Sequence, residues 1–360
     1  MLNVTKTYMP PIELYESYLK EIWDSSQVTN NGALVKKLEV SLSEKLNIKN
    51  IELVSNGTLA LQLALKALNI RGDVITTPFS YVATTTSILW ENCNPIFVDI
   101  EMGNFCINPD LIEQAITEET TAILATHVYG YPCEVEKIQK IADKYNLKVI
   151  YDAAHAFGVT YKGKSLLEYG DISTLSFHAT KLFHTGEGGA IVSTDNEILK
   201  KVSLSKSFGH IGEEKYIDIG INAKMSELHA AMGLCVLDKV DDIISHRKKC
   251  SQLYDEFLEL DDSIIRPQLK QGVVYNYAYY PIILSCKEHM LRVRDALNRQ
   301  NIFPRRYFYP SLNKLSYIDK KVQCPVSESI SSRVLALPLS HELSEKEIRL
   351  VSTIILEAVK

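Results

Sequence analysis

The chain has no CxxC pair, no long apolar run and no block of basic residues. Its seven cysteines (93, 106, 133, 235, 250, 286 and 324) are scattered and odd in number. That spacing excludes a disulfide framework and a zinc site, and predicts no metal centre and reduced thiols, as in the cytoplasm. Without about 18 consecutive apolar residues there is no membrane-spanning helix. The opening MLNVTKTYMPPIELYESYLKEI lacks the basic-then-apolar layout of a signal peptide, so the expectation is a soluble cytoplasmic protein. A net charge of −5 without a basic stripe argues against nucleic acid as a partner. Internal repeats and low-complexity tracts are also missing.

What is present is an ordinary globular composition, 46% hydrophobic and 23% charged over 360 residues. That length predicts two unequal domains, 1–240 and 241–360. Pro11–Trp23 and Ala33–Leu46 carry helical spacing, and the first helix could cover the smaller domain. From Ile51 the pattern alternates: strand 51–55, helix 59–68, strand 73–77, helix 81–90, strand 95–99, helix 109–116, strand 121–128, helix 135–146 and strand 148–152. This alternation indicates βαβ units and a mainly parallel sheet flanked by helices, an α/β fold. Further on, the pattern predicts strand 190–194, helix 196–208, a mobile charged loop 209–220 and one long helix from Glu227 to about Leu260. Strand 275–284, helix 287–298, an aromatic turn at 305–312, strand 336–339 and a helix opened by a Ser344/Glu347 capping box predict a smaller α+β domain.

Two places carry chemistry. Asn56-Gly57-Thr58 joins a strand to a helix N-terminus, an arrangement that suits an anion and equally a plain N-cap. The stretch 148–189 ends one buried strand at Asp152 and a second apolar run near Phe177, with Lys181 and the glycines 186, 188 and 189 just beyond. Ligand-binding groups of open α/β sheets lie at such strand ends. An acid and a lysine there suit pyridoxal 5′-phosphate (PLP), whose aldehyde condenses with an amine and whose ring nitrogen needs a carboxylate. A salt bridge at the sheet rim satisfies the same spacing.

Five runs, SNGTLAL (55–61), TTPFSYVATT (76–85), YDAAHAFG (151–158), SFHATKLFHTGEGG (176–189) and GINAKMSEL (220–228), together resemble the DegT/DnrJ/StrS family of sugar aminotransferases. They occur in the family's order and spacing across nearly the whole chain. The resemblance implies a fold-type I PLP-dependent transferase, with PLP and its pyridoxamine form as cofactor. It makes Lys181 the reacting amine and Asp152 the partner of the ring nitrogen. Gly57, Thr58 and Ser176 would hold the phosphate, while Tyr81 and His155 would border the ring. Asn222 would reach the partner's phosphate across a homodimer with shared sites; a loop-to-helix cap is its other reading. His178, Tyr307 and Tyr309 would face the substrate. Ser311 departs from the family, since many relatives carry histidine after that proline.

The implied activity moves an amino group from L-glutamate to a nucleotide-linked keto sugar. Within the family the chain looks most like enzymes forming dTDP-4-amino-4,6-dideoxyglucose (viosamine) from dTDP-4-keto-6-deoxyglucose, for surface polysaccharide such as O-antigen. Amination at C-3 of a dTDP-3-keto-6-deoxyhexose is the alternative, and a PLP-fold module without catalysis is the reading from another class. Intact Lys181 favours amino transfer over the dehydration performed by relatives with histidine in its place.

Overall fold

The computed structural model describes residues 1–258, 263–318 and 322–360. Its centre is a seven-stranded sheet in the order Ile51–Val54, Gly189–Val192, Ile172–Ser176, Lys148–Asp152, Thr120–Thr126, Asp73–Thr76 and Asn94–Phe97. Neighbours run parallel except at Gly189–Val192, which is antiparallel on both sides. Residues 177–188 are too few for a helical crossover, so the chain turns back beside the strand it has just left. Both sheet faces are buried, which is why the strands read as continuous apolar runs. Along Lys148–Asp152, Val149 and Tyr151 join the core on one face and Ile150 the core on the other.

Helix Gly57–Ala67 packs on the second face, against strands Ile172–Ser176 and Gly189–Val192. Its alanines and leucines are buried almost all round, as the near-uniform apolar sequence predicts. The last third builds a separate three-stranded antiparallel sheet from Ile264–Ile265, Tyr280–Leu284 and Val334–Leu337. Helices Val240–Leu258, Lys287–Arg299 and Glu345–Val359 enclose its own apolar core. The expected capping box is formed, with Ser344 and Glu347 satisfying each other's backbone N–H groups.

Several boundaries differ from expectation. The long helix is two, Glu227–Leu237 and Val240–Leu258, because the chain breaks at Asp238-Lys239; its expected end at 259–260 lies outside the described residues. The strand expected over 275–284 begins only at Tyr280. Tyr277 ahead of it has φ +54°, a left-handed conformation that a regular strand excludes. Helix Pro325–Arg333 went unread, although Pro325 stands at the helix start that proline favours. The first helix, Ile12–Ser25, packs on Glu227–Leu237. The strand ahead of it, Leu2–Asn3, is what pairs with the C-terminal region, at Ile302–Phe303.

A buried carboxylate fixes the start of helix Ala33–Leu46. Glu227, 2% exposed, accepts the N–H groups of Leu34 at 2.7 Å and Val35 at 3.2 Å. No side chain caps that helix locally, since Gly32 precedes it and a Cβ there would lie 2.5 Å from the Glu227 carboxyl carbon. Replacing Glu227 with alanine leaves two buried donors unpaired and should cost about 2–3 kcal/mol. The urea unfolding midpoint should fall while far-UV circular dichroism of the folded protein stays unchanged. An unmoved midpoint would remove this cap from the stabilising contacts.

Candidate active site

Asp152 closes its strand at the C-terminal edge of the sheet and is 6% exposed. Its Oδ2 accepts the Thr84 hydroxyl at 2.7 Å, and its Oδ1 accepts the Ala154 N–H at 3.1 Å. Behind Thr84 lie two more buried hydroxyls, with Ser80 Oγ 2.7 Å from Thr84 Oγ1 and Thr126 Oγ1 donating to Ser80 Oγ at 3.0 Å. Burial pushes the Asp152 carboxyl above its ordinary range, and Thr84, Ala154 and Lys181 oppose that rise. The hydroxyl chain was missed from sequence. Its signal was the run of small hydroxyl residues in TTPFSYVATTTS, too polar for a buried helix start without an anion to serve.

Lys181 sits in the turn 177–188, its N–H donating to His178 O at 2.8 Å. Among the described residues its Nζ makes no hydrogen bond and no ion pair. Desolvation lowers its pKa below that of an ordinary lysine, with Asp152, Tyr307 and Tyr81 pulling the other way. A small enclosed cavity is lined by Lys181, Ser176, His155, Asn276 and Tyr279, among others. His155 Nδ1 accepts the Tyr129 N–H at 3.1 Å, so the neutral ring carries its proton on Nε2. Burial, and then Lys181, hold that ring well below the usual histidine pKa.

The anion-type turn lies beside this pair. Asn56 caps helix Gly57–Ala67 through Leu59 N–H at 2.9 Å, which leaves the N–H groups of Gly57 and Thr58 free among the described residues. A Cβ on Gly57 would stand 2.8 Å from Ser176 Cβ. Only glycine lets the helix start come this close to the Ser176 strand. Two free N–H groups, a helix N-terminus and the Ser176 hydroxyl form a cradle suited to a phosphate. With an unpaired amine and a buried carboxylate, this donor set fits PLP.

The other expected residues fall into two groups. Tyr81 stands at the start of helix Val82–Trp90, 60% exposed, and Tyr307 lies near enough to raise the Lys181 pKa. Tyr309 is exposed, with the Arg306 guanidinium 3.3 Å from its ring centre. His178 is half-exposed, and its Nδ1 serves the local turn, 2.8 Å from Thr180 Oγ1. Asn222 is exposed and its Oδ1 accepts Lys224 Nζ at 2.7 Å, while the next residue, Ala223, accepts the Ser55 N–H at 2.8 Å. The expected loop 209–220 contains a short hairpin, His210–Ile211 paired with Lys215–Tyr216. Ser311 is turned inward, donating to Asn313 Oδ1 at 2.6 Å. Tyr129 and Tyr279 packed around His155 were not foreseen, since scattered aromatics give no local signal; Phe308 of the expected aromatic turn stacks on the same ring.

Two outcomes follow from these charges. In the cofactor-free protein, the pH midpoint for reductive methylation of Lys181 should lie below that of surface lysines. Asp152→Asn should lower it further, because Asp152 favours the charged amine; a rise would overturn this electrostatic account. His127 is fully buried and, mainly through desolvation, titrates at about 3. The unfolded chain therefore takes up a proton near pH 6.5 that the folded state refuses. Below that pH His127 should subtract about 1.4 kcal/mol per pH unit until about pH 3. The stability loss between pH 7 and pH 5 should shrink in His127→Asn, and an equal loss would mean His127 is protonated in the fold.

Comparison with known proteins identifies the family. The model of the DegT/DnrJ/EryC1/StrS aminotransferase family matches residues 13–356. The chain is 44% identical over 359 residues to dTDP-4-amino-4,6-dideoxy-D-glucose transaminase of Shigella dysenteriae, covering 98% of this chain and 97% of that protein. It is 40% identical to the Escherichia coli protein of the same name, with 99% and 98% covered. Among solved structures, DesI in the presence of its TDP-sugar product superposes with a TM-score of 0.95 at 28% identity, over 100% of this chain and 93% of that one. With a buried acid, an unpaired lysine and a helix-start cradle in that common frame, the chain belongs to the DegT/DnrJ/EryC1/StrS aminotransferase family.

Proposed function

We propose that the chain is a PLP-dependent transaminase that moves an amino group from L-glutamate to C-4 of dTDP-4-keto-6-deoxy-D-glucose. The product would be dTDP-4-amino-4,6-dideoxyglucose, used for surface polysaccharide, and the reaction would run in the cytoplasm. The observation that carries the reading is Lys181, a desolvated amine with no partner among the described residues, in a family of aminotransferases. The substrate follows from the two relatives named for that product, at 44% and 40% identity.

Gly57 and Thr58 N–H groups and the Ser176 hydroxyl would hold the cofactor phosphate. Asp152, oriented by Thr84, would face the ring nitrogen, with Tyr81 and His155 bordering the ring. When bound, PLP supplies an aldehyde that condenses with amines and a ring that accepts the electron pair left on a deprotonated carbon. Lys181 Nζ, its pKa lowered by desolvation, would take the proton from the α-carbon of glutamate and later deliver one to the sugar carbon that gains nitrogen. The balance is glutamate plus ketosugar giving 2-oxoglutarate plus aminosugar. His178, Tyr307 and Tyr309 would contact the sugar nucleotide in a cleft formed by both subunits, with residues 1–240 and 241–360 taken as large and small domains.

A second copy of the chain would complete the unit. Phe208, Ile211, Tyr216, Ile217, Ile219 and Ile221 are exposed around the hairpin, an apolar surface unusual for an isolated subunit. Asn222 follows directly, so a homodimer would carry it to the partner's site.

The test combines purified protein, PLP, L-glutamate and dTDP-4-keto-6-deoxyglucose, with the product identified by NMR. An amino group on C-4 is expected; one on C-3 of the 3-keto isomer alone would replace the substrate assignment. Glutamate alone should convert the cofactor's spectrum to the pyridoxamine form, and an unchanged spectrum would point to a binding module. Lys181→Ala should lose roughly 10²–10⁴ in rate or more. Asp152→Asn should bind PLP yet react slowly, and a wild-type rate there would remove Asp152 from the chemistry.

A further inference from the structure

The segment ahead of the first helix plays no part in the chemistry above, yet it touches the Lys181 turn on both sides. Its first residues lie along the C-terminal region. Leu2 and Asn3 pair with Ile302 and Phe303, and Leu339 N–H donates to Val4 O at 3.0 Å. Lys6 forms an ion pair with Glu342, and the Tyr8 ring meets the His341 ring edge-on at 5.1 Å between centres.

The same few residues also hold the lysine turn. Thr7 Oγ1 donates to Ala179 O at 2.9 Å, two positions before Lys181. His184 Nε2 lies 2.7 Å from Tyr8 O, three positions after it. His184 Nδ1 accepts the Gly186 N–H at 3.2 Å, so the proton rests on Nε2 and the bond to Tyr8 runs from histidine to carbonyl. Ala179 N–H donates to Gly186 O at 2.8 Å, joining the two legs of the turn. His184 is 1% exposed, and neither Thr7 nor His184 lies among the residues assigned to cofactor or substrate.

We infer that residues 2–8 form a strap that positions Lys181, with Thr7 and His184 as its two positioning residues. The strap fixes the legs of the turn and ties them to 302–303 and 339–342, so the placement of the C-terminal region is passed to the reacting amine. A tail that merely packed would need no polar bond to each leg. This inference rests on the reading of Lys181 as the reacting amine. Misplacing a reacting group by about 1 Å can cost roughly a hundredfold in rate, whereas the phosphate cradle at Gly57 and Ser176 is left untouched.

The experiment compares Thr7→Val, Thr7→Ser and His184→Phe in the full chain loaded with PLP, with glutamate and the ketosugar as substrates. Thr7→Val should lower kcat by roughly tenfold with KM for the ketosugar within about twofold, and Thr7→Ser should restore kcat. In the cofactor-free chain, hydrogen exchange over 177–189 should quicken in Thr7→Val and His184→Phe but not in Thr7→Ser. Wild-type kcat and exchange in Thr7→Val would overturn the strap, as would a loss that serine does not rescue. If His184→Phe fails to fold, the threonine pair still decides. Lys181→Ala serves as the separate control: sustained turnover there would defeat the reading of the amine, whatever the strap variants do.

Discussion

The corner where Gly57, Ser176 and Gly189 meet has no room for side chains, and the site depends on it. A Cβ on Gly57 would press on Ser176, and one on Gly189 would lie 2.6 Å from the Asn56 carbonyl carbon. This packing brings the start of helix Gly57–Ala67 against the end of strand Ile172–Ser176. The antiparallel strand Gly189–Val192, between Ile51–Val54 and Ile172–Ser176, closes the turn holding Lys181. Cradle and amine are therefore neighbours because two backbones touch. Larger residues at 57 or 189 would push the helix dipole away from the amine before altering any reacting group.

Around that corner burial does most of the electrostatic work. Desolvation raises Asp152, lowers Lys181 and lowers His155, so each is pushed toward its neutral form. Direct contacts then select among them. Asp152 accepts Thr84 and Ala154, which favours its charged form, while the Lys181 amine has no acceptor among the described residues. The result is a carboxylate supported by donors beside an amine that loses its proton readily. That division of roles suits one group that holds charge and one that transfers protons.

How far this was legible in sequence depended on how local each signal is. The strand end at Asp152 was readable because buried parallel strands are short apolar runs with polar stops, whereas the next strand stops at Ser176, one residue before the Phe177 where its apolar run ends. The order of the strands was not readable, since the return of Gly189–Val192 beside Ile51–Val54 is set by packing. Periodicity also ran through Asp238-Lys239, where helical spacing continues across a break in the axis. Candidate residues carried by motifs could be named, whereas Thr84 and Tyr129 make their contacts to residues 68 and 26 positions away. Tertiary context decided those.

The two parts of the chain are joined by polar contacts that converge on the site. The Asp99 carboxylate, just past the edge strand Asn94–Phe97, accepts N–H groups of Val326 and Ser327 at the start of helix Pro325–Arg333. Asn276 donates to the carbonyls of His155 and Phe157, both at 2.9 Å. The Tyr129 hydroxyl donates to Tyr307 O. These bonds end at His155, Phe157, Asp99 and the aromatic turn, while Thr7 and Tyr8 bond the Lys181 turn. Directional bonds of this kind fix register where apolar packing alone tolerates sliding. The C-terminal region is thus bonded both to the chain that follows Asp152 and, through residues 2–8, to the turn that carries Lys181.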